Sequence, residues 1–177
     1  PGTDVDLKTR FIEPVDSNLA YTIYPGATYP NRLGVFRTSN SASGEFMAIL
    51  YPEKASAGVA MPALTRIYPS PAQSGAILGT DTIIWSKDGS TIDYNGISSD
   101  GDVVVVRGVA TIGALSFYDG TNISAGGLSI SSTTKTNAIL EDDGSNYIVT
   151  VGNEVSDSAT TTLSFNGLRD GQYGYIL

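Results

Sequence analysis

Short alternating segments, separated by Asx-Gly pairs, recur along most of this chain. From Ala76 onward ten candidate strands of three to six residues follow one another, at roughly every 8 to 12 residues. Asx-Gly pairs supply the positive φ angles that tight hairpin turns require. Seven such pairs stand in this part of the chain: Asp88-Gly89, Asn95-Gly96, Asp100-Gly101, Asp119-Gly120, Asp143-Gly144, Asn166-Gly167 and Asp170-Gly171. This spacing is typical of a sandwich or a closed sheet.

The first third of the chain is also extended. Apolar and polar residues alternate over Val5–Phe11, which indicates a strand with one buried face. Arg32–Thr38 and Glu45–Tyr51, joined by a polar turn, are interpreted as a hairpin. No segment keeps apolar residues at helical spacing over ten positions. We therefore predict an all-β fold: an antiparallel β-sandwich of roughly 12–14 short strands, jelly-roll-like, with almost no helix.

Composition supports one folded domain over residues 1–177. Hydrophobic residues make up 41% of the chain and charged residues 16%, which provides enough apolar surface for a core. The run Val103–Val106 does not alternate, which favours a central strand with both faces covered.

The chain contains no histidine and no cysteine. A Ser-His-Asp triad, thiolate chemistry and the common zinc sites are therefore excluded. Carboxylate pairs remain, such as Asp4 with Asp6, but a glycosidase needs two carboxylates in a cleft and one with a raised pKa. We predict a noncatalytic domain without a cofactor.

Two acidic clusters raise the question of calcium, which prefers several hard oxygen ligands. One contains Asp100 and Asp102, and the other is Glu141–Gly144. Both lie where a hairpin should turn, and aspartate is favoured there because it bonds the backbone. Turn formation is therefore the favoured interpretation, and calcium binding at Asp100 and Asp102 is the alternative. No metal site is predicted.

Charge and hydropathy limit the partners. A net charge of −8 and a pI near 4.3 argue against nucleic acid. The sequence contains no apolar run long enough to predict a membrane span. It starts at Pro1 without a basic leader. We expect a secreted protein, either a mature product or an excised fragment.

Three aromatic residues are candidates for carbohydrate binding. Trp85 is the only tryptophan, and alternation places it on one face with Ile83, opposite Ile84. An outward indole would be a platform for stacking on a sugar ring, whereas the alternative is a residue of the core or of its edge. Tyr24 and Tyr29 lie near Pro25 and Pro30 and form a second candidate surface, with packing on the sandwich as the alternative.

Several short sequence segments resemble those of a known family. They are Val5–Phe11, Asn31–Phe36, Glu45–Pro52, Gly79–Ile83, and the tail from Leu163 to Tyr175. In their order and pattern they resemble the C-terminal β-domain of heparinase II/III-like polysaccharide lyases. The resemblance implies a β-domain that supports a separate catalytic body acting on uronate-containing chains. None of the family's catalytic motifs has a match here.

These observations favour one function and leave two alternatives. The leading hypothesis is a noncatalytic accessory or scaffold domain of a secreted polysaccharide-degrading enzyme, whose partners are the catalytic domain of the same polypeptide or an acidic polysaccharide. A freestanding carbohydrate-binding module is the nearest alternative. The other is a structural subunit of an extracellular filament or surface layer, which would self-assemble by strand addition through its N-terminal strand.

Overall fold

The protein is all-β and its strands pair antiparallel, as the sequence predicts. The computed structural model describes residues 5–13, 19–24, 32–37, 47–54, 60–108, 111–152 and 161–170. These residues contain fourteen strands and no helix. The strands are β1 (Val5–Glu13), β2 (Leu19–Tyr24), β3 (Arg32–Arg37), β4 (Met47–Lys54), β5 (Leu64–Ile67), β6 (Gln73–Leu78), β7 (Asp81–Ser86), β8 (Ile92–Tyr94), β9 (Ile97–Ser99), β10 (Val103–Arg107), β11 (Ala114–Ala125), β12 (Leu128–Asp142), β13 (Tyr147–Gly152) and β14 (Leu163–Asn166).

The chain separates into two compact units, Pro1–Met61 and Pro62–Leu177. The prediction of one domain over residues 1–177 remains a prediction. In the first unit β1 pairs with β4 and β2 pairs with β3, each as a two-stranded sheet. Among the described side chains of this unit, Ile12 and Ile49 are buried.

The strand pairing of the first unit differs from the expected hairpin. Arg32–Thr38 and Glu45–Tyr51 were predicted to pair with each other. Instead β3 pairs with β2, and β4 pairs with β1 along the register from Val5↔Lys54 to Glu13↔Met47. A polar segment between two strands is therefore no evidence that those two strands pair with each other, although the consecutive strands β2 and β3 do pair.

The second unit is built on a ten-stranded antiparallel sheet. Its main path runs β13-β12-β11-β10-β7-β6-β5, while β9 pairs with β11, β8 pairs with β9, and β14 pairs with β12. Strands β8 and β9 form the tight hairpin expected at Asn95-Gly96, where φ is 48° and 77°. These are the positive angles that a two-residue hairpin turn needs.

The long hairpin of β11 and β12 belongs to two layers of the second unit. The start of β11 pairs with β10 and with the end of β12, which forms the larger layer. The end of β11 pairs with β9 and with the start of β12, which forms the smaller layer together with β8 and β14. The register shifts between Phe117 and Asn122 mark where β11 passes from one layer to the other.

One hydrophobic core lies within the second unit and draws on both layers. The larger layer contributes Ile67, Ile84, Val104, Val106, Leu115, Phe117, Ala138 and Leu140. The smaller layer contributes Ile92, Ile97, Ile123, Ala125 and Ile130. The two layers therefore pack as a sandwich, and the opposite side of the larger layer forms what we call its outer face.

The outer face is less covered than the valine run of β10 suggested. Val104 and Val106 point into the core and are buried. Val103 and Val105 point to the outer face and are only half-buried. The expectation that both faces of this strand are covered is therefore confirmed for the core face, whereas the outer face is only partly covered.

Candidate functional site

Trp85 lies on the outer face of the larger layer. Strand β7 alternates between half-buried and buried residues, with Ile83 and Trp85 on one side and Ile84 fully buried on the other. The indole is half-buried, so it is neither a core residue nor a fully exposed one. The structure thus places Trp85 on the face away from the core, and its role in carbohydrate binding stays a prediction.

Two tyrosines lie in the same row as Trp85. Trp85 pairs with Val103 of β10, and Val103 pairs in turn with Tyr118 of β11. On its other side Trp85 pairs with Ser74 of β6. Tyr68 follows directly after the last pair of β5, Ile67↔Gly75, and so comes beside Ser74.

We call Tyr68, Trp85 and Tyr118 the aromatic row. Tyr68 is 50% exposed and Tyr118 is 42% exposed. Neighbouring aromatic residues of the row are separated by two strand spacings, which amounts to about 10 Å. Ser74 and Val103 stand between them and are smaller. The row is thus a line of three aromatic residues separated by smaller ones.

A polar groove opens at one end of the larger layer. Its volume is about 420 Å³. Asp81 begins β7, Arg107 ends β10 and Glu141 lies near the end of β12, so strand ends bring these side chains together. The lining residues are Thr80, Asp81, Arg107, Gly108, Thr111, Gly113, Glu141, Asp142, Asp143 and Ile148.

The carboxylates of this groove already have partners. Asp81 accepts a hydrogen bond of 3.3 Å from the amide of Gly108, and Glu141 pairs with Arg107 at 3.5 Å. Asp142 forms a bidentate pair with Arg169 at 2.5 and 2.8 Å. Hydrogen bonds from Arg169 and from the Gly144 amide hold the pKa of Asp142 below its usual value.

Asp143 performs the turn role expected for the second acidic cluster. Its Oδ1 accepts hydrogen bonds from the amides of Asn146 at 2.6 Å and Ser145 at 2.8 Å. These hydrogen bonds lower the pKa of Asp143. The carboxylate thus stabilises the turn between β12 and β13.

Asp100 stabilises the crossing point of β11 rather than a hairpin turn. Its Oδ1 accepts hydrogen bonds of 2.8 Å from the amides of Thr121 and Asn122, and Oδ2 accepts one from the Thr121 hydroxyl. Burial opposes ionisation, but these hydrogen bonds outweigh it and lower the pKa of Asp100. Asp102 joins strands through its backbone, since its amide donates to Tyr118 and its carbonyl accepts from Ser86.

Among the described residues, no group of three or more Asp or Glu side chains is arranged to hold a metal ion. The other carbohydrate candidates fall where no side chain is described. Tyr24 ends β2 and pairs with Arg32, but the structure describes only its backbone. Tyr29 lies outside the described residues.

Sequence reasoning found one member of the aromatic row and missed the other two. Alternation identifies the face of Trp85 but not the strands beside it. Tyr68 precedes Pro69, and Tyr118 precedes Asp119-Gly120, and both contexts are typical of the end of a strand. The available signal was alternation along the strand. Tyr68 follows the core residue Ile67 and Tyr118 follows the core residue Phe117, so each tyrosine points away from the core.

No protein-family model, curated protein or solved structure matches this chain. Within the residues that the structure describes, there is no helix with the length and hydropathy of a membrane span.

Proposed function

We propose that this chain is a noncatalytic β-sandwich domain of a secreted polysaccharide-degrading enzyme, which supports the catalytic domain and contacts its glycan. The proposal starts from the resemblance to the terminal β-domain of heparinase II/III-like lyases, which rests on strings such as Glu45–Pro52 and Gly79–Ile83. In that family the catalytic side chains belong to other domains.

One observation carries the noncatalytic part of the proposal. Among the residues that the structure describes, the carboxylates with a shifted pKa are held in structural hydrogen bonds, which lower the pKa and favour the charged form. They are Asp88, Asp100, Asp142 and Asp143. A general acid for glycoside cleavage needs the opposite shift, so that a proton is available near neutral pH.

The glycan-contacting part is supported by the outer face of the larger layer. Trp85, Ile83 and Val105 form an apolar surface there that is half-buried rather than sealed. Apolar patches of this kind on a soluble protein mark interaction surfaces. Aromatic rings suit sugar rings because their π faces attract the C–H groups that sugars present.

An activity assay tests the proposal. The full 177-residue chain is incubated with polygalacturonate, alginate and hyaluronate, and release of unsaturated uronides is followed by ultraviolet absorbance, with an authentic lyase as positive control. We expect no turnover by this chain. Turnover that rises in proportion to its concentration would refute the noncatalytic assignment.

The genomic context provides a second test. If the chain is a terminal domain of a lyase, the coding region that continues upstream of Pro1 encodes a helical toroid domain in the same polypeptide. A gene that encodes this β-domain without any catalytic region would contradict the scaffold role.

A further inference from the structure

The aromatic row is embedded in a strip of the outer face that is apolar and basic. The row next to it consists of Arg66, Ala76, Ile83, Val105, Ser116 and Ile139, which pair across six strands. Among the described residues, neither row contains an Asp or Glu. Asp81 and Glu141 lie one row further on at one end of the strip, and at the other end Asp119, which pairs with Lys135 at 3.2 Å, directly follows Tyr118.

Two cations border the aromatic row. Arg66 is exposed, and it lies two residues before Tyr68 on the same side of the extended chain. Lys87 lies two residues after Trp85, and its amide continues the β6–β7 ladder by donating to the carbonyl of Ala72 at 2.8 Å. This distribution is notable because the whole chain has a net charge of −8 with 18 acidic residues. Arg66 and Lys87 thus place two basic side chains beside the aromatic row of a protein that is acidic overall.

We propose that the aromatic row binds an extended polysaccharide that carries carboxylate groups, with sugar rings stacked on Tyr68, Trp85 and Tyr118. This inference rests on the proposed function and names its ligand class. The regular spacing of the rings along one row fits an extended chain rather than a compact ligand. Arg66 and Lys87 supply the charge that a neutral glycan would not need.

Affinity electrophoresis of the full chain tests this site. Native gels contain polygalacturonate, alginate or hyaluronate, and a parallel gel contains neutral hydroxyethyl cellulose. We expect at least one polyuronate to retard the wild-type chain more strongly than the neutral polymer does. Tyr68→Ala and Tyr118→Ala should each weaken that retardation by about two- to tenfold, the range of one aromatic contact.

Matched variants separate stacking from other effects. Tyr68→Phe and Tyr118→Phe keep the ring and should keep most of the retardation. Ile148→Ala removes an exposed apolar side chain of the same layer outside the two rows and should have no effect; Ile148 is 50% exposed, like Tyr68. Trp85→Ala should abolish retardation, but Trp85 is half-buried, so the two tyrosines carry the test if this variant unfolds.

A separate variant, Arg66→Gln, tests whether binding requires a positive charge beside the aromatic row. Arg66→Gln should reduce retardation in the polyuronate gel and leave the neutral gel unchanged. Equal retardation in both gels, unaffected by Arg66→Gln, would overturn the carboxylate part of the inference.

Three results would overturn the site itself. They are no retardation by any of the polyuronates, retardation that survives Tyr68→Ala and Tyr118→Ala, and light scattering that shows a dimer lost on Tyr118→Ala. The last result would assign the row to a second copy of the chain. All three leave the noncatalytic scaffold part of the proposed function intact, whereas lyase turnover by this chain would refute that part without bearing on the row.

Discussion

Gly101 and Gly120 approach each other so closely that a Cβ atom on Gly120 would lie 2.6 Å from the Cα of Gly101. The contact occurs where β11 passes from the larger to the smaller layer. Both residues belong to Asx-Gly pairs, yet neither has a positive φ, and at the second pair it is Asp119 that does. Here glycine is needed for close packing, not for a turn.

Gly120→Ala is therefore expected to destabilise the protein. The new methyl group would collide with backbone atoms that have no freedom to move away, and overpacking of this kind costs about 1 to 3 kcal/mol. Denaturant titration of the full chain measures the free energy of unfolding. Gly152→Ala is the matched control, since a Cβ there meets nothing within 4 Å. A loss at Gly152 as large as at Gly120 would contradict the steric explanation.

Removal of the Asp100 carboxylate should weaken the same crossing point. Asp100→Ala leaves the amides of Thr121 and Asn122 without their acceptor, at a cost of about 1 to 3 kcal/mol. Asp100→Asn keeps one oxygen acceptor and should lose less. Asp93→Asn, at an exposed position of β8, is the control and should stay within about 0.5 kcal/mol of wild type.

The Asp100 contribution should also depend on pH in a defined direction. Its pKa is lower in the folded protein than the usual 3.8, so its stabilising effect is fully present above the unfolded pKa and is lost as pH falls through the folded pKa. The stability difference between wild type and Asp100→Asn should thus be constant near neutral pH and shrink in strong acid. A difference that grows as pH falls would contradict this sign.

Gln73 provides a test of polar burial. Gln73 is 3% exposed, and its Nε2 donates to the carbonyl of Thr91 at 2.9 Å and to the hydroxyl of Ser90 at 3.2 Å. These bonds tie β6 to the segment that leads into the smaller layer. Gln73→Glu would set a carboxylate against the Thr91 carbonyl and should destabilise the protein by about 1 to 3 kcal/mol at neutral pH.

The defect of Gln73→Glu should diminish in acid. Burial without a donor raises the pKa of the introduced carboxyl, so the folded state takes up a proton before the unfolded state as pH falls. Gln73→Met, which loses the same donor without titrating, should show a defect relative to wild type that does not change with pH. Parallel pH profiles for the two variants would rule out this explanation.

Arg169 should not be replaceable by lysine. Its guanidinium pairs with both oxygens of Asp142 and lies 4.5 Å from the centre of the Tyr147 ring. Lysine offers neither the planar fork nor the stacking face. Arg169→Lys should lower the denaturant midpoint of unfolding, and the loss should be smaller at high salt. Arg107→Lys is the control, because Arg107 has one 3.5 Å contact with Glu141 and should tolerate the change.

Local features of the fold could be predicted from the sequence. The β8–β9 hairpin follows from Asn95-Gly96, and the opposite faces of Ile84 and Trp85 follow from alternation. Both depend on residues within a few positions of each other, where backbone geometry and side-chain parity decide the outcome.

Long-range features could not be predicted in the same way. Asp119-Gly120 looked like a turn, but β11 continues through it to Gly126-Gly127, where φ is 56° and 86°. Likewise Tyr118 reaches the row of Trp85 only because β10 inserts between β7 and β11. Strand order and register depend on contacts between distant segments, which a single sequence pattern does not encode.

The β11–β12 hairpin has a consequence for how the second unit gains and loses its structure. Since one pair of strands supplies hydrogen bonds to both layers, neither layer is complete without the other. Folding must close many distant contacts together, which makes it slow, and melting must release them together, which makes it all-or-none.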